Sequence, residues 1–422
     1  MNSNSAHIQV FEFDKIRVGH VYGKTEFTES MYHALIHQCA NKPSPYFTIL
    51  HNGIQFNQFV GVIQVGRILY EVLPKADRIS QDSTDTDEKK RWQKILIGMM
   101  RAVHGFDVKS TGESQLKVRR NSILDLYIEI FIKETEKLLR QGLVKKYRKK
   151  EENSFALKGQ LMIARHIQQN SVHQERFFVR HSVYNTEHIL NQILYETLQV
   201  IHRINTETTL ESKIGSLLLN FPEMPAIKIT EKTFSKIILD RKTNGYKRAL
   251  DIAKLILLNF HPDITKGSQH AITLMFDMNK LWEAFVGVSL KKHAKDGWQI
   301  KLQNKTKFWE SHDCGDVNIK PDITISKDKI SIALDTKWKN LNNSAPSADD
   351  LRQMYVYSIY FKAVKSGLIY PGDSSRAILG KFVPVSSTGA MPEGCFLQMI
   401  TTSENILIWQ NDIYKTILAH CG

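Results

Sequence analysis

The residues best suited to chemistry lie between positions 321 and 337. Pro321-Asp322 opens the run ITIS, the polar segment KDK follows, and ISIALDTK closes with Asp335 and Lys337. Two strand-type runs around a polar turn predict a β-hairpin. With the turn centred between Asp328 and Lys329, Asp322 stands directly opposite Asp335. Lys337 then shares their face, because side chains alternate along a strand. Opposed carboxylates repel unless a positive group lies between them. A divalent ion does this, and hard Mg²⁺ prefers carboxylate oxygens and water. The lysine would orient or help deprotonate an attacking water while the ion stabilises charge on a scissile phosphate. The same residues also suit a plain surface hairpin with one Asp–Lys ion pair, and a one-residue slip of register would part the carboxylates.

Two helices must flank such a hairpin. In DDLRQMYVYSIYFK, Asp350, Gln353 and Tyr357 fall at i, i+3 and i+7, a polar stripe on one helical face. That stripe suits either a site or an ordinary helix surface. MFDMNKLWEAFVGVSLKKHA predicts a helix capped by Asp277. Its Glu283, set among Leu281, Trp282, Phe285 and Val286, is a candidate third metal carboxylate or a solvated side chain.

The rest of the chain supplies the frame. Its 422 residues are 42% hydrophobic and 24% charged, enough for one to three globular domains. Residues 7–75 read as β-rich, with a tight hairpin over 63–68, and SQDSTDTDEKK at 80–90 reads as a polar linker. From 91 to about 260 the pattern turns helical; ILDLYIEIFIKETEKLLRQGL repeats apolar residues every three to four positions and stops at Gly142. The expected class is therefore α+β: a β-rich region over 1–80, a mostly helical basic region over 81–265, and an α/β domain over 266–422. Cys39, Cys314, Cys395 and Cys421 are scattered, which supports neither a zinc ribbon nor a disulfide framework and fits a reducing cytoplasm. No apolar run approaches the roughly 20 residues of a membrane span, and the start lacks a signal-peptide pattern. Gly19-His20-Val21-Tyr22-Gly23-Lys24-Thr25 is one residue too short between its glycines for a nucleotide-binding phosphate loop. The net charge of +14 points to a polyanionic partner. It is densest in KKYRKK at 145–150, which suits phosphate contacts, a solvated loop or a helix C-terminus alike.

Taken together, these motifs resemble a known family. Pro321-Asp322 followed by Asp335-Thr336-Lys337 resembles the PD-(D/E)xK nuclease signature, and Gln353-x-x-x-Tyr357 looks like the QxxxY element some of those nucleases carry. FDMNKLWEAFV, the PDI…ALDTKW hairpin and DLRQMYVYS, in that order, resemble the McrC family, the nuclease subunits of McrBC-type modification-dependent restriction systems. GVIQVGRILYEVLPK, GLVKKYRKKEENSFALKGQL and HILNQILYETL are similar to further family segments, so the resemblance runs from about 61 to 360.

The resemblance implies a PD-(D/E)xK domain with a mixed central sheet. Asp322, Asp335, Glu283 and the Thr336 backbone carbonyl would hold Mg²⁺, Lys337 would serve the nucleophilic water, and Gln353 and Tyr357 would form the extra motif. It also implies a partner, a McrB-like hexameric AAA+ GTPase that binds the GTP and recognises methylated cytosine. The chain would dock on that ring through residues 1–260, stimulate its hydrolysis and cut double-stranded DNA. Two other readings keep the same residues: a non-cleaving adaptor of a AAA+ ring, and a nuclease of another defence or repair system.

Overall fold

The computed structural model describes residues 6–37, 44–75, 86–103, 122–261, 270–295, 297–310, 315–328, 330–339, 341, 346–372, 376–383 and 395–419. Cys39, Cys314, Cys421 and Lys329 lie outside them. Helices and several sheets make a mixed α+β protein, and among the described residues no helix is long and apolar enough to cross a membrane. The chain divides into two compact units.

One unit comprises Ile63–Ile68 and Arg120–Leu274. Its core is a group of helices, Ile123–Gln141, Ile189–Ile204, Thr208–Asn220 and Lys247–Leu258, packed through Ile128, Phe131, Leu194, Leu198, Ile214, Ile252 and Ile256. Ser122 caps the first of these, its Oγ accepting the Asp125 N–H at 3.2 Å, and Gly142 ends it at φ 88°. The fully buried Asn191 needs partners for its amide. Its Nδ2 donates to the Val144 and Thr186 carbonyls at 2.9 and 2.6 Å, and its Oδ1 accepts the Tyr246 hydroxyl at 2.8 Å.

The same unit corrects the expectation for 145–150. That run is neither loop nor helix end; it opens the strand Lys146–Ser154, which pairs antiparallel with Phe177–Asn185 in a three-stranded sheet completed by Gln160–Leu161. Neither face of its basic half is buried, so no apolar alternation marks it as a strand. Side-chain pairs with the neighbouring strand and the segments beside it hold it instead. Glu151 meets Arg180 and Arg165, Arg148 meets Glu187, and the Tyr147 and Tyr184 rings lie 4.6 Å apart.

The other unit joins Ala6–Val62 and Leu69–Arg119 to Met275–Gly422, so the N-terminal strands share a unit with the C-terminal sheet. Ala6–Phe11, Phe59–Val65 and Ile68–Leu73 bring buried Ile8, Val10, Val60, Tyr70 and Val72 into the core. The last two form the expected hairpin, whose tip, turned at Gly66 with φ 59°, is the Ile63–Ile68 segment counted with the first unit. Val21–Tyr22 and Thr25–Glu26 pair as a small hairpin around Gly23, which is not the strand–loop–helix setting of a phosphate loop. Residues 86–90 are not linker: they begin the helix Thr86–Val103. Asp87 and Glu88 sit in its first turn, where they favour the helix dipole.

Six strands make the C-terminal sheet, in the order Gln299–Leu302, Ile323–Lys327, Ile330–Thr336, Lys365–Gly372, Cys395–Thr401 and Arg376–Gly380. The two central parallel pairings lie between antiparallel ones, so the sheet is mixed. The helix Ala348–Tyr360 crosses between two of the parallel strands and lays Met354 and Tyr357 over Ala333, Leu368 and Tyr370. The helix Met278–His293 packs with Thr86–Val103 and Ile406–Ala419. Buried Trp282, Phe285 and Trp409 fill that contact, and the Trp282 indole donates to the Ile369 carbonyl at 3.2 Å, fixing the helix on the sheet.

Candidate active site

The hairpin Ile323–Lys327/Ile330–Thr336 has the register assumed from the sequence. Ile323 faces Leu334 and Lys327 faces Ile330, leaving a two-residue turn. Asp328 adopts φ 52° in that turn, a conformation aspartate tolerates better than most residues. Asp322 stands just before the first strand and Asp335 near the end of the second, so both reach one end of the hairpin.

Asp322 is locked in place by Thr336. The same Oδ2 accepts the Thr336 N–H and its hydroxyl, each at 2.7 Å. Asp335 is 3% exposed and forms an ion pair with Lys337 Nζ at 2.7 Å. Burial, and then the neighbouring Asp322 carboxylate, push the Asp335 pKa up from 3.8 to about 6 in spite of Lys337. Burial alone would lower the Lys337 pKa, but Asp335, Asp350 and Asp322 outweigh it and hold the ammonium charged.

The helix Ala348–Tyr360 presents the expected stripe to this group. Gln353 Oε1 accepts from Lys337 Nζ at 3.2 Å, Gln353 Nε2 donates to the Tyr357 hydroxyl at 2.7 Å, and that hydroxyl donates to the Lys320 carbonyl at 2.8 Å. This directed chain fixes which way the amide points, with its oxygen toward the lysine. The Tyr357 hydroxyl is held un-ionised, its pKa pushed up to about 12 by burial and by Asp335. Asp350 sits 3.6 Å from Lys337 Nζ and 2.7 Å from Lys339 Nζ. Burial opposes its charge, but the Lys339 hydrogen bond prevails and keeps its pKa low.

Glu283 approaches from the helix Met278–His293, whose N-terminus Asp277 caps as expected, accepting the Asn279 N–H at 3.0 Å. Its Oε1 accepts from Gln303 Nε2 at 2.8 Å. Burial raises its pKa, the Gln303 bond lowers it, and Asp322 raises it again, so Glu283 and Asp322 share one electrostatic neighbourhood.

Of the seven side chains singled out in the sequence, Asp335, Lys337, Asp350, Gln353 and Tyr357 are joined by direct contacts, Asp322 stands beside them on Thr336, and Glu283 is linked to Asp322 through its electrostatics. Thr336, expected to act through its carbonyl, is seen acting through its N–H and hydroxyl. Gln303, Lys339 and the buried Glu12 were not foreseen. Glu12 Oε1 accepts the indole N–H of Trp338, the residue after Lys337, at 2.7 Å across 326 positions of sequence. Only spatial packing brings such residues together, and no spacing signals it.

The donor set suits a hard divalent ion: carboxylate oxygens without sulfur or imidazole, and a buried aspartate destabilised in its charged form. Among the described residues, no three His, Cys, Asp or Glu side chains are grouped so as to hold a metal ion between them. An ion held here would keep several waters, as Mg²⁺ commonly does.

Comparison with known proteins places these observations. The curated Type IV methyl-directed restriction enzyme EcoKMcrBC of Escherichia coli K12 is 23% identical over 230 residues, 52% of this chain. The match spans 65% of that relative's length. A chain of the half-complex from the tetradecameric assembly of Thermococcus gammatolerans McrB AAA+ hexamers with bound McrC shares the fold. Its TM-score is 0.72 at 18% identity, covering 98% of this chain and all of that one. A chain of the cryo-EM structure of the T. gammatolerans McrBC complex matches with a TM-score of 0.52 at 20% identity, over 69% of this chain and 89% of that one. The family model for the McrBC 5-methylcytosine restriction system component matches residues 54–371, and the chain belongs to that family.

Proposed function

We propose that this chain is the Mg²⁺-dependent DNA endonuclease subunit of a GTP-dependent, methylcytosine-directed restriction complex. The observation that carries the proposal is the meeting of Asp322, Asp335 and Lys337 on one hairpin end, with Gln353 bonded to Lys337 and Glu283 within the electrostatic reach of Asp322. That meeting and the mixed sheet behind it support the reading of a PD-(D/E)xK nuclease domain. Asp322, Asp335 and Glu283, with the Thr336 carbonyl, would hold the ion. When bound, Mg²⁺ supplies positive charge to the scissile phosphate and acidifies water.

The chain's own residues do the rest. Asp335 gains a counter-charge that offsets its burial. Lys337, kept charged and aimed by Gln353 Oε1, donates a hydrogen bond to the attacking water or to a non-bridging phosphate oxygen. Tyr357 and the Lys320 carbonyl hold Gln353 in that orientation. Asp350, itself paired with Lys339, gives the lysine a second and longer carboxylate contact beside Asp335.

The partner in this proposal is a McrB-like hexameric AAA+ GTPase, which binds the GTP and reads the modification. The solved relatives, which contain McrB AAA+ hexamers with McrC, support it. The exposed basic strand Lys146–Ser154 and its tyrosine pair are a candidate surface for that partner or for DNA. The test is Mg²⁺-dependent cleavage by the complex with wild type, Asp335→Ala and Lys337→Ala. Loss of cutting in both variants, with stimulation of the partner's GTPase retained, is expected. Undiminished cutting by both would overturn the site.

A further inference from the structure

We propose that Gln303 is a positioning residue of this site, tying the Glu283 carboxylate to the backbone of Asp322 so that both carboxylates face one cation. The inference rests on the nuclease reading above.

Three observations carry it. The Gln303 N–H donates to the Asp322 carbonyl at 2.8 Å, extending by one residue the ladder in which Leu302 faces Ile323. Its side-chain Nε2 donates to Glu283 Oε1 at 2.8 Å. Its backbone sits at φ 48°, in the left-handed region that non-glycine residues seldom occupy and that recurs at functional sites. One residue therefore bonds two segments that each supply a carboxylate, Asp322 at the foot of the strand Ile323–Lys327 and the helix Met278–His293.

The helix is built to permit this reach. Gly287 lies four residues after Glu283, on the same helical face. A Cβ there would come within 2.8 Å of the Leu302 side chain, so the glycine lets the helix approach the strand end closely. The chemistry of glutamine also fits. A neutral amide supports ionised Glu283 without adding a positive charge that would compete with a metal ion. A lysine at 303 would support the same carboxylate and repel the ion.

The test separates side chain from backbone. Gln303→Gly removes the amide, keeps the N–H to Asp322 and is at ease at positive φ. Full-length wild type, Gln303→Gly, Glu283→Ala and the double variant would be compared by metal-free melting temperature, by Mn²⁺ titration calorimetry without DNA, and by DNA cleavage with the AAA+ partner across a Mg²⁺ series. Gln303→Gly should melt no lower than wild type, bind Mn²⁺ about ten-fold more weakly and need correspondingly more Mg²⁺ for half-maximal cleavage. In the Glu283→Ala background it should add less than about two-fold, because it acts through Glu283. Wild-type Mn²⁺ affinity and Mg²⁺ dependence in Gln303→Gly, or fully multiplicative effects of the two substitutions, would overturn the positioning role. Wild-type protein that binds no Mn²⁺, or Asp335→Ala that still cuts, would instead overturn the nuclease reading on which it stands.

Discussion

Asp335→Asn should make the metal-free protein more stable while abolishing cleavage. Asp335 is buried beside Asp322, and its folded-state pKa is raised from 3.8 to about 6. The folded chain therefore keeps a proton on Asp335 through a pH range in which the unfolded chain has lost it. Stability linked to this group is complete below 3.8 and is lost as pH rises through about 6. At 1.36 kcal/mol per pH unit, that interval puts the cost of the ionised carboxylate at neutral pH at about 3 kcal/mol, an upper bound for the gain from a neutral isostere. The assay is urea unfolding of wild type and Asp335→Asn in EDTA between pH 5 and pH 8. The variant's advantage should grow from pH 5 to pH 8 and shrink when Mg²⁺ is added, since the ion stabilises only the wild-type site. A variant less stable than wild type at pH 8 in EDTA, or an advantage that does not change with pH, would refute the reasoning.

Other consequences are equally direct. Lys337→Ala removes the ammonium between Asp335, Asp350 and Gln353 and should slow single-turnover cleavage at least about a hundred-fold. Tyr357→Phe breaks the chain from Gln353 to the Lys320 carbonyl. It should cost about 1–2 kcal/mol by denaturant unfolding and slow cleavage less than Lys337→Ala does. Glu12→Ala leaves the Trp338 indole N–H without its partner, and should cost about 1–3 kcal/mol in the same unfolding measurement. Charge reversal within 145–150 should weaken binding of DNA or of the GTPase and flatten its salt dependence, read by fluorescence anisotropy across a salt series.

How much of this was legible in the sequence follows from which interactions are local. The hairpin was, because two apolar runs around a short turn leave few registers, and only one sets Asp322 against Asp335. The stripe of Asp350, Gln353 and Tyr357 was, because helical period alone puts them on one face. The strand character of 145–150 was not, since a strand exposed on both faces carries no alternation of apolar and polar residues. Gln303 and Glu12 were hidden for a different reason. Each acts across a contact distant in sequence, Gln303 to Glu283 and Glu12 to Trp338, and gains its partner only when the sheet and helices pack. The sharing of one unit by the N-terminal strands and the C-terminal sheet was invisible likewise, because composition changes along the chain while the core is assembled across it.

The central claim is that this chain cuts modified DNA at the Asp322–Asp335–Lys337 site when engaged by a AAA+ GTPase. The direct measurement is cleavage of cytosine-methylated and unmethylated plasmid in Mg²⁺ and GTP, with and without the proposed McrB-like AAA+ GTPase, using wild type and Asp335→Ala in parallel. Cutting that requires methylation, partner and GTP, and that vanishes in Asp335→Ala, is the predicted result. Partner-independent or methylation-independent cutting, or accelerated GTP hydrolysis with no cutting by wild type, would contradict the account.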